Sequence, residues 1–372
     1  MTSINLLYID DDQPQQVKGL IEAIISKASF DLKITHKPPT KMSEIAIELR
    51  QGYDGIIYDG IIIDQKLDSF VEGVEPVDYF GAALAQNLRT LMAGKSDNIS
   101  YKPIILLSLE SLLIEYYNPD SSSHDLFDLV LSKSILEQPE LLEKKVHLIK
   151  SIVNAYKRAH SEDSLYQLLS LSSNYSLLDK RFEIYISQYD KDIHKLVTSI
   201  HSTLLRSSGM LVSEITLATR LGINIEESPD WHQVIGHIEE YKYNGIFSDY
   251  YKRWWWADVE LWINKKLNCP IIKGLTSEKR VEIIKEKLGL ERLMPIHSVH
   301  PGQSTKFWVN CIISKEPLDT IDALRASSME LKPWEDDKYL SIKTVLERRA
   351  EKYKVHPEDR TKLDRIRARF KL

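Results

Sequence analysis

Short apolar runs and helical stripes alternate along the first 135 residues. INLLYI (4–9) is apolar apart from one Asn and stops at Asp10-Asp11-Asp12, as a buried strand does where it reaches a sheet edge. Behind Pro14, the residues Val17, Leu20, Ile21, Ile24 and Ile25 recur at helical spacing. The proline suits a first helical turn, where its missing N–H is no loss. DLKITH alternates as a strand does, and MSEIAIELRQG predicts a helix stopped by Gly52. The series continues with a strand around GIIYDGIIID, a helix over FGAALAQNLRTLMAG and the strand PIILLS. A helix near Leu109–Tyr117, the strand DLVLSK and the long amphipathic helix LLEKKVHLIKSIVNAYKR complete it. Five strands alternating with five helices predict an α/β unit with a doubly wound, five-stranded parallel sheet and right-handed crossovers.

Chemistry in such sheets gathers at the carboxyl ends of the strands. Those ends carry Asp10 and Asp11, then Asp64, then Ser108, then Lys133. Carboxylates brought that close repel one another strongly without a cation. Hard oxygens of this kind suit Mg²⁺ with several waters retained, which predicts a metal site at Asp10, Asp11 and Asp64. A carboxylate beside Mg²⁺ can attack a phosphoryl group and form an acyl phosphate, with the metal and Lys133 neutralising the transferring oxygens. Asp54-GIIY-Asp59 and Asp59-GIII-Asp64 are near copies, so Asp59 rivals Asp64 as the acceptor.

YIDDDQP, DGIIIDQKL, PIILLS and DLVLSK, in this order, resemble the receiver domain of two-component response regulators over residues 3–135, or to about 158 with the last helix. The resemblance implies a flavodoxin-like receiver fold and phosphoryl transfer from a histidine kinase or phosphotransfer protein onto Asp64. It implies Mg²⁺ held by Asp10 and Asp11, and Ser108 and Lys133 against the phosphoryl group. Leu67, three residues after Asp64, matches the family and favours Asp64 over Asp59. Three features depart from it. Val130 stands where the family has a Tyr or Phe that swings with the hydroxyl residue, and Ser134 replaces the proline after the lysine. The loop QKLDSFVEGVEPVDY is longer and more acidic than usual, as a shield over the site or a partner surface would be.

Beyond HSEDS the pattern changes, which divides the 372 residues into a receiver domain over 1–158 and an α-rich C-terminal domain over 165–372. DKRFEIYISQYDKDIHKLVTSIHSTLL predicts one long helix or a broken pair, STKFWVNCIIS a strand, and WEDDKYLSIKTVLERRAEKYKV a charged helix. LATRLGINIEESPDW invites a helix-turn-helix reading, but Glu226, Glu227 and Asp230 follow where a recognition helix needs basic or amide side chains. Nine aromatic residues fall between Tyr241 and Trp262. Three adjacent tryptophans cannot share one helix face, so Trp254, Trp255 and Trp256 are either core or a surface for an effector or for self-association. His297 and His300 have no carboxylate or thiol beside them in sequence and do not predict a metal site.

Charge sharpens the partner expectations. Residues 1–134 hold 11 basic against 20 acidic side chains, a poor surface for nucleic acid. Residues 343–372 hold 11 basic against 5 acidic, but the acids are interspersed as on a solvated helix face, which argues against DNA. Two cysteines cannot build a disulfide framework, the N-terminus lacks a basic signal-peptide region, and no apolar run reaches membrane-spanning length. The expectation is a cytoplasmic protein without a membrane partner. It is a phosphoryl acceptor rather than an enzyme, and either signals or acts as a phosphate sink. Two alternatives stand beside it: a degenerate receiver that serves as a scaffold, and a nucleic-acid effector that uses the basic tail. LATRLGI, YNGIF, RWWW and KFW also resemble receiver proteins of Detocs-type antiphage operons, which implies a phosphate-sink role in antiphage defence.

Overall fold

The computed structural model describes residues 3–68, 75–94, 99–298, 304–327 and 330–370. It forms two compact units, one of residues 1–168 with 188–198 and one of 169–187 with 199–372. The first unit is therefore discontinuous in sequence, which a division at 158/165 does not foresee.

In the first unit the strands are β1 (Ile4–Ile9), β2 (Leu32–Lys37), β3 (Gly60–Ile63), β4 (Ile104–Ser108) and β5 (Leu129–Ser132). They pair in the order 2-1-3-4-5, every pair parallel. The helices are α1 (Pro14–Ser26), α2 (Met42–Gln51), α3 (Gly81–Ala93), the short α4 (Glu110–Leu112), which runs into a π-helical turn, and α5 (Pro139–Ser161). The two-residue period of the central strands explains the layering. Leu7, Ile9, Ile61, Ile63, Ile104 and Leu106 face Ile45 and Leu49 of α2 and Leu84 and Leu88 of α3. The alternate residues Leu6, Tyr8, Ile62, Ile105 and Leu107 face Val17, Leu20 and Ile24 of α1 and Val146, Ile149 and Val153 of α5. A strand covered on both faces needs apolar residues throughout, which is why these runs do not alternate with polar ones.

One boundary differs from expectation. The strand does not extend over GIIYDGIIID but begins at Gly60. Asp54 (φ 50°) and Gly55 (φ 76°) form the centre of a tight turn, closed by reciprocal backbone bonds between Tyr53 and Ile56. Asp-Gly is a favoured pair for a turn with two positive φ angles. The first of the two near copies is thus a turn and the second is β3.

The second unit contains the antiparallel ribbon Leu211–Ser213 with Arg253–Trp255 and the helices Glu214–Leu221, Trp256–Lys266 and Ser277–Leu288. Its main core joins Leu217, Leu221, Trp254, Ile263, Val281 and Ile284. Arg280 is fully buried there and donates to the carbonyls of Ile272, Lys273, Thr219, Arg220 and Phe307. A planar guanidinium with five N–H donors satisfies many loop carbonyls at once. Two segments depart from expectation. STKFWVNCIIS contributes only the two-residue strand Val309–Asn310, and WEDDKYLSIKTVLERRAEKYKV yields the strand Tyr339–Leu340 and the short helix Ile342–Leu346. Of the two alternatives over 179–205, one long helix or a broken pair, the structure has the broken pair, Lys180–Ser187 and Ile193–Ile200.

Among the described residues no helix is long and apolar enough to cross a membrane. Cys269 and Cys311 are free and buried.

Candidate functional site

Each expected site residue stands at a strand end. Asp10 follows β1, Asp64 follows β3, Ser108 closes β4 and Lys133 follows β5. The register aligns Ile9 with Ile63 and Ser108 with Ser132, so the four ends meet at one edge. Lys133 lies at the centre. Its Nζ stands 2.9 Å from Asp10 Oδ2, 2.9 Å from Asp12 Oδ2 and 3.3 Å from Asp64 Oδ2. Burial disfavours the ammonium, but Asp64 and Asp10 outweigh it and hold Lys133 charged beyond the ordinary lysine range.

Asp64 is buried, and its Oδ1 accepts from the Gln65 N–H at 2.7 Å. Burial raises its carboxyl to about 6; Lys133 opposes the shift and Asp10 adds to it. Asp10 is held from three sides. Its Oδ1 accepts from the Asp12 N–H, and its Oδ2 accepts from the Tyr8 hydroxyl as well as from Lys133. Tyr8 is fully buried, and burial together with Asp10 keeps its hydroxyl protonated. Replacing Tyr8 with Phe is expected to cost about 1.5–3 kcal/mol, the range for a hydrogen bond to a charged group. A urea midpoint measured in EDTA reads this loss.

Ligand oxygens of Asp10, Asp11 and Asp12 lie within 4.8 Å of one another. Three carboxylates, of Asp10, Asp12 and Asp64, share the one ammonium of Lys133, and Asp11 adds a fourth to the group. That donor set fits a hard divalent cation better than it fits itself. One buried polar atom at this edge, Oε1 of Gln65 next to Asp64, has no hydrogen-bond partner among the described residues, and the Ser108 hydroxyl lies close enough to Asp64 to help hold its charge. Asp12 and Gln65 are additions to the expected set. Asp12 was legible in the acidic run, whereas Gln65 carries no sequence signal beyond its place after Asp64.

Asp59 lies at the opposite end of β3. Its Oδ2 accepts from the Asn5 N–H at 2.9 Å, and its Oδ1 stands 2.8 Å from Lys157 Nζ. It shares no edge with Lys133. Leu67 is fully buried in the core beside α2 and α3.

Gly81, the first residue of α3, packs on the site's backbone. Its N–H donates to the Gln65 carbonyl at 2.8 Å, and a Cβ there would come within 2.1 Å of the Asp64 carbonyl oxygen. Backbone cannot retreat as a flexible side chain can, so Gly81→Ala must displace the strand end that carries Asp64. The variant is expected to lose about 1–3 kcal/mol of stability and to slow phosphoryl labelling, read by thermal melting and by intact mass.

No family model matches the chain, and no curated protein matches it in sequence. Three solved response regulators match the N-terminal part. The phosphorylated cyanobacterial phytochrome response regulator RcpA is 16% identical, with 40% of this chain and 93% of that one covered at a TM-score of 0.27. The Mn²⁺-bound form of Rcp1 gives 16%, 40%, 92% and 0.27. RPA3017, from red light signalling in R. palustris, gives 13%, 39%, 93% and 0.27. The deciding observation is the all-parallel strand order 2-1-3-4-5, the flavodoxin-like arrangement shared by receivers. The N-terminal unit has a flavodoxin-like fold.

Around this edge, Val130 is half-buried against the cluster of Leu106 and Phe127, and Ser134 is tied through its N–H to Ser132 Oγ. Residues 69–74 of the acidic loop lie outside the described residues.

The tryptophan run is not an exposed partner surface. Trp254 and Trp255 pair with Val212 and Leu211 across the ribbon, and strand alternation sends them to opposite faces, both covered. Trp254 enters the main core, while Trp255 meets the rings of Tyr175 and Tyr243. Trp256 starts a helix and packs edge-on against Trp308. His297 is exposed, with Nδ1 3.9 Å from Glu278, and His300 lies outside the described residues. In the basic tail, Lys362 donates to the carbonyls of Ile321 and Ala323, and Glu358 and Asp359 pair with Arg325.

Proposed function

We propose that this protein accepts a phosphoryl group on Asp64 from a histidine kinase or phosphotransfer protein. The observation that carries this reading is Lys133, whose single ammonium bridges Asp10, Asp12 and Asp64 at the carboxyl edge of a receiver sheet. An Asp64 oxygen forms the bond to phosphorus, the bond from phosphorus to the donor's imidazole nitrogen breaks, and that nitrogen keeps the electron pair. Lys133 faces the charge that develops on the phosphoryl oxygens. Ser108, at the end of β4 beside Asp64, has a hydroxyl that can donate to them. Gln65 fixes Asp64 Oδ1 through its N–H, and Tyr8 and the Asp12 N–H orient Asp10. Mg²⁺, with Asp10, Asp11 and Asp64 as its holders, would supply charge neutralisation at the transferring group.

Val130 is too short to sweep the face beside β4 as an aromatic ring would. A phosphoryl group shifts a conformational equilibrium only by its differential affinity for the two states. This favours a phosphate sink with modest structural output, the role implied by the likeness to antiphage receiver proteins. The test is incubation with a small acyl-phosphate donor and Mg²⁺. A single phosphoryl adduct that disappears in EDTA supports the reading; no adduct from that donor or from a purified kinase leaves a scaffold.

A further inference from the structure

The second unit contains a cavity of about 320 Å³, at the lower end of the roughly 300–1,000 Å³ usual for small-molecule sites. Five cationic side chains line it, Arg206, Arg220, Arg253, Lys315 and Lys338, against the two carboxylates of Asp336 and Asp337. Arg220 is the anchor. It is 2% exposed, its guanidinium carbon lies 4.5 Å from the Trp256 ring centre and 5.1 Å from that of Trp308, and its Nη2 donates to Asp336 at 2.5 Å. Its Nε is buried and has no partner among the described residues. An unused donor on a buried guanidinium is costly unless something occupies the space beside it. Asn310, also in the lining, presents the complementary vacancy. Its amide nitrogen donates to Thr219 Oγ1 and to the Lys315 carbonyl, while its Oδ1 accepts nothing among the described residues.

The pattern specifies a ligand. Arg253 donates to the Leu205 carbonyl and Lys315 to the Ile312 carbonyl, but five cations against two carboxylates, around a guanidinium beside two tryptophan rings, leave a net positive charge that matches the oxygens of a phosphate group. The unpaired Asn310 oxygen asks for an O–H or N–H on the same molecule. We propose that this cavity binds a small phosphate-bearing ligand that also carries such a donor, at a site separate from the receiver edge.

The test uses the full chain as Asp64→Asn in EDTA, so that receiver chemistry cannot contribute. Inorganic phosphate, ribose 5-phosphate and AMP are titrated calorimetrically, with adenosine as the uncharged control. At least one phosphate is expected to bind with a dissociation constant of about 1 mM or tighter, more weakly as salt rises. The Arg206→Ala/Lys315→Ala variant, which removes two exposed side chains and spares the core, is expected to weaken that binding about tenfold or more. Phosphate alone binding would identify the free anion as the ligand, and tighter binding of a phosphate ester would identify an organic phosphate. Three results would each overturn the proposal: no phosphate binds, adenosine binds as well as AMP, or the folded double variant binds unchanged.

Discussion

Replacing Asp64 with Asn is expected to reduce phosphoryl labelling to background, while Asp59→Asn labels as the parent does. The reason is positional. Asp64 continues β3 past its carboxyl end into the group around Lys133, whereas Asp59 precedes β3 and is engaged by Asn5 and Lys157. In Asp64→Asn the carboxamide keeps the shape and the contact with the Gln65 N–H but offers no anionic oxygen to phosphorus. Loss of the charge also removes one of three carboxylates that share one ammonium, so this variant is expected to melt higher than the parent in EDTA. Asp59→Asn gives up a partly exposed ion pair worth about 0–1 kcal/mol. Intact mass after incubation with an acyl phosphate, with peptide mapping of the adduct, decides the matter. An adduct on Asp59, or full labelling of Asp64→Asn, would remove Asp64 as the acceptor.

The largest stability effect is expected at Asp128, just before β5 and at the other end of the sheet from the Lys133 cluster. Its Oδ2 accepts from Arg89 Nη2 at 2.7 Å and from the Ile104 N–H at 2.8 Å, and its Oδ1 accepts from the Tyr156 hydroxyl at 2.7 Å. The same hydroxyl lies 2.7 Å from His194 Nδ1, and His194 Nε2 lies 2.6 Å from the Asp125 carbonyl. Burial alone would raise the Asp128 carboxyl, but Arg89 with His194 and Tyr156 pulls it well below the usual carboxylate range. Asp128→Ala strands a buried guanidinium and is expected to cost about 3–5 kcal/mol. The pH dependence follows from the depressed value. Below the ordinary aspartate range the unfolded chain takes a proton on this residue before the folded one does, so acid favours unfolding. The contribution is complete above about pH 4 and fades as pH falls below it. Denaturant melts from pH 7 to 3 should show the parent losing stability faster than Asp128→Asn.

Legibility in the sequence tracked the distance over which the deciding contacts act. The receiver strands and helices were readable because each carries its own period, and the site because every member sits one step past a strand. The start of β3 was misplaced because GIIYD continues the apolar run, and only Asp54 and Gly55 mark the turn. Arg280 gave no sign, since the carbonyls it serves belong to segments 7 to 61 residues away. The same holds for His194, which meets Tyr156 across 38 residues. The three tryptophans were readable as either core or surface. A strand of only three residues, Arg253–Trp255, decided for the core at Trp254 and Trp255, and so short a strand leaves too little alternation to detect.

The chain passes between its two units three times, because residues 188–198 return to the first after 169–187 have joined the second. A module attached by one linker can be shuffled, duplicated or borrowed as a single stretch of gene. This one cannot, because a cut after residue 168 removes His194 and leaves the Tyr156 hydroxyl and the Asp125 carbonyl without it. A hybrid that grafts the first unit onto another domain must therefore carry residues 188–198 with it.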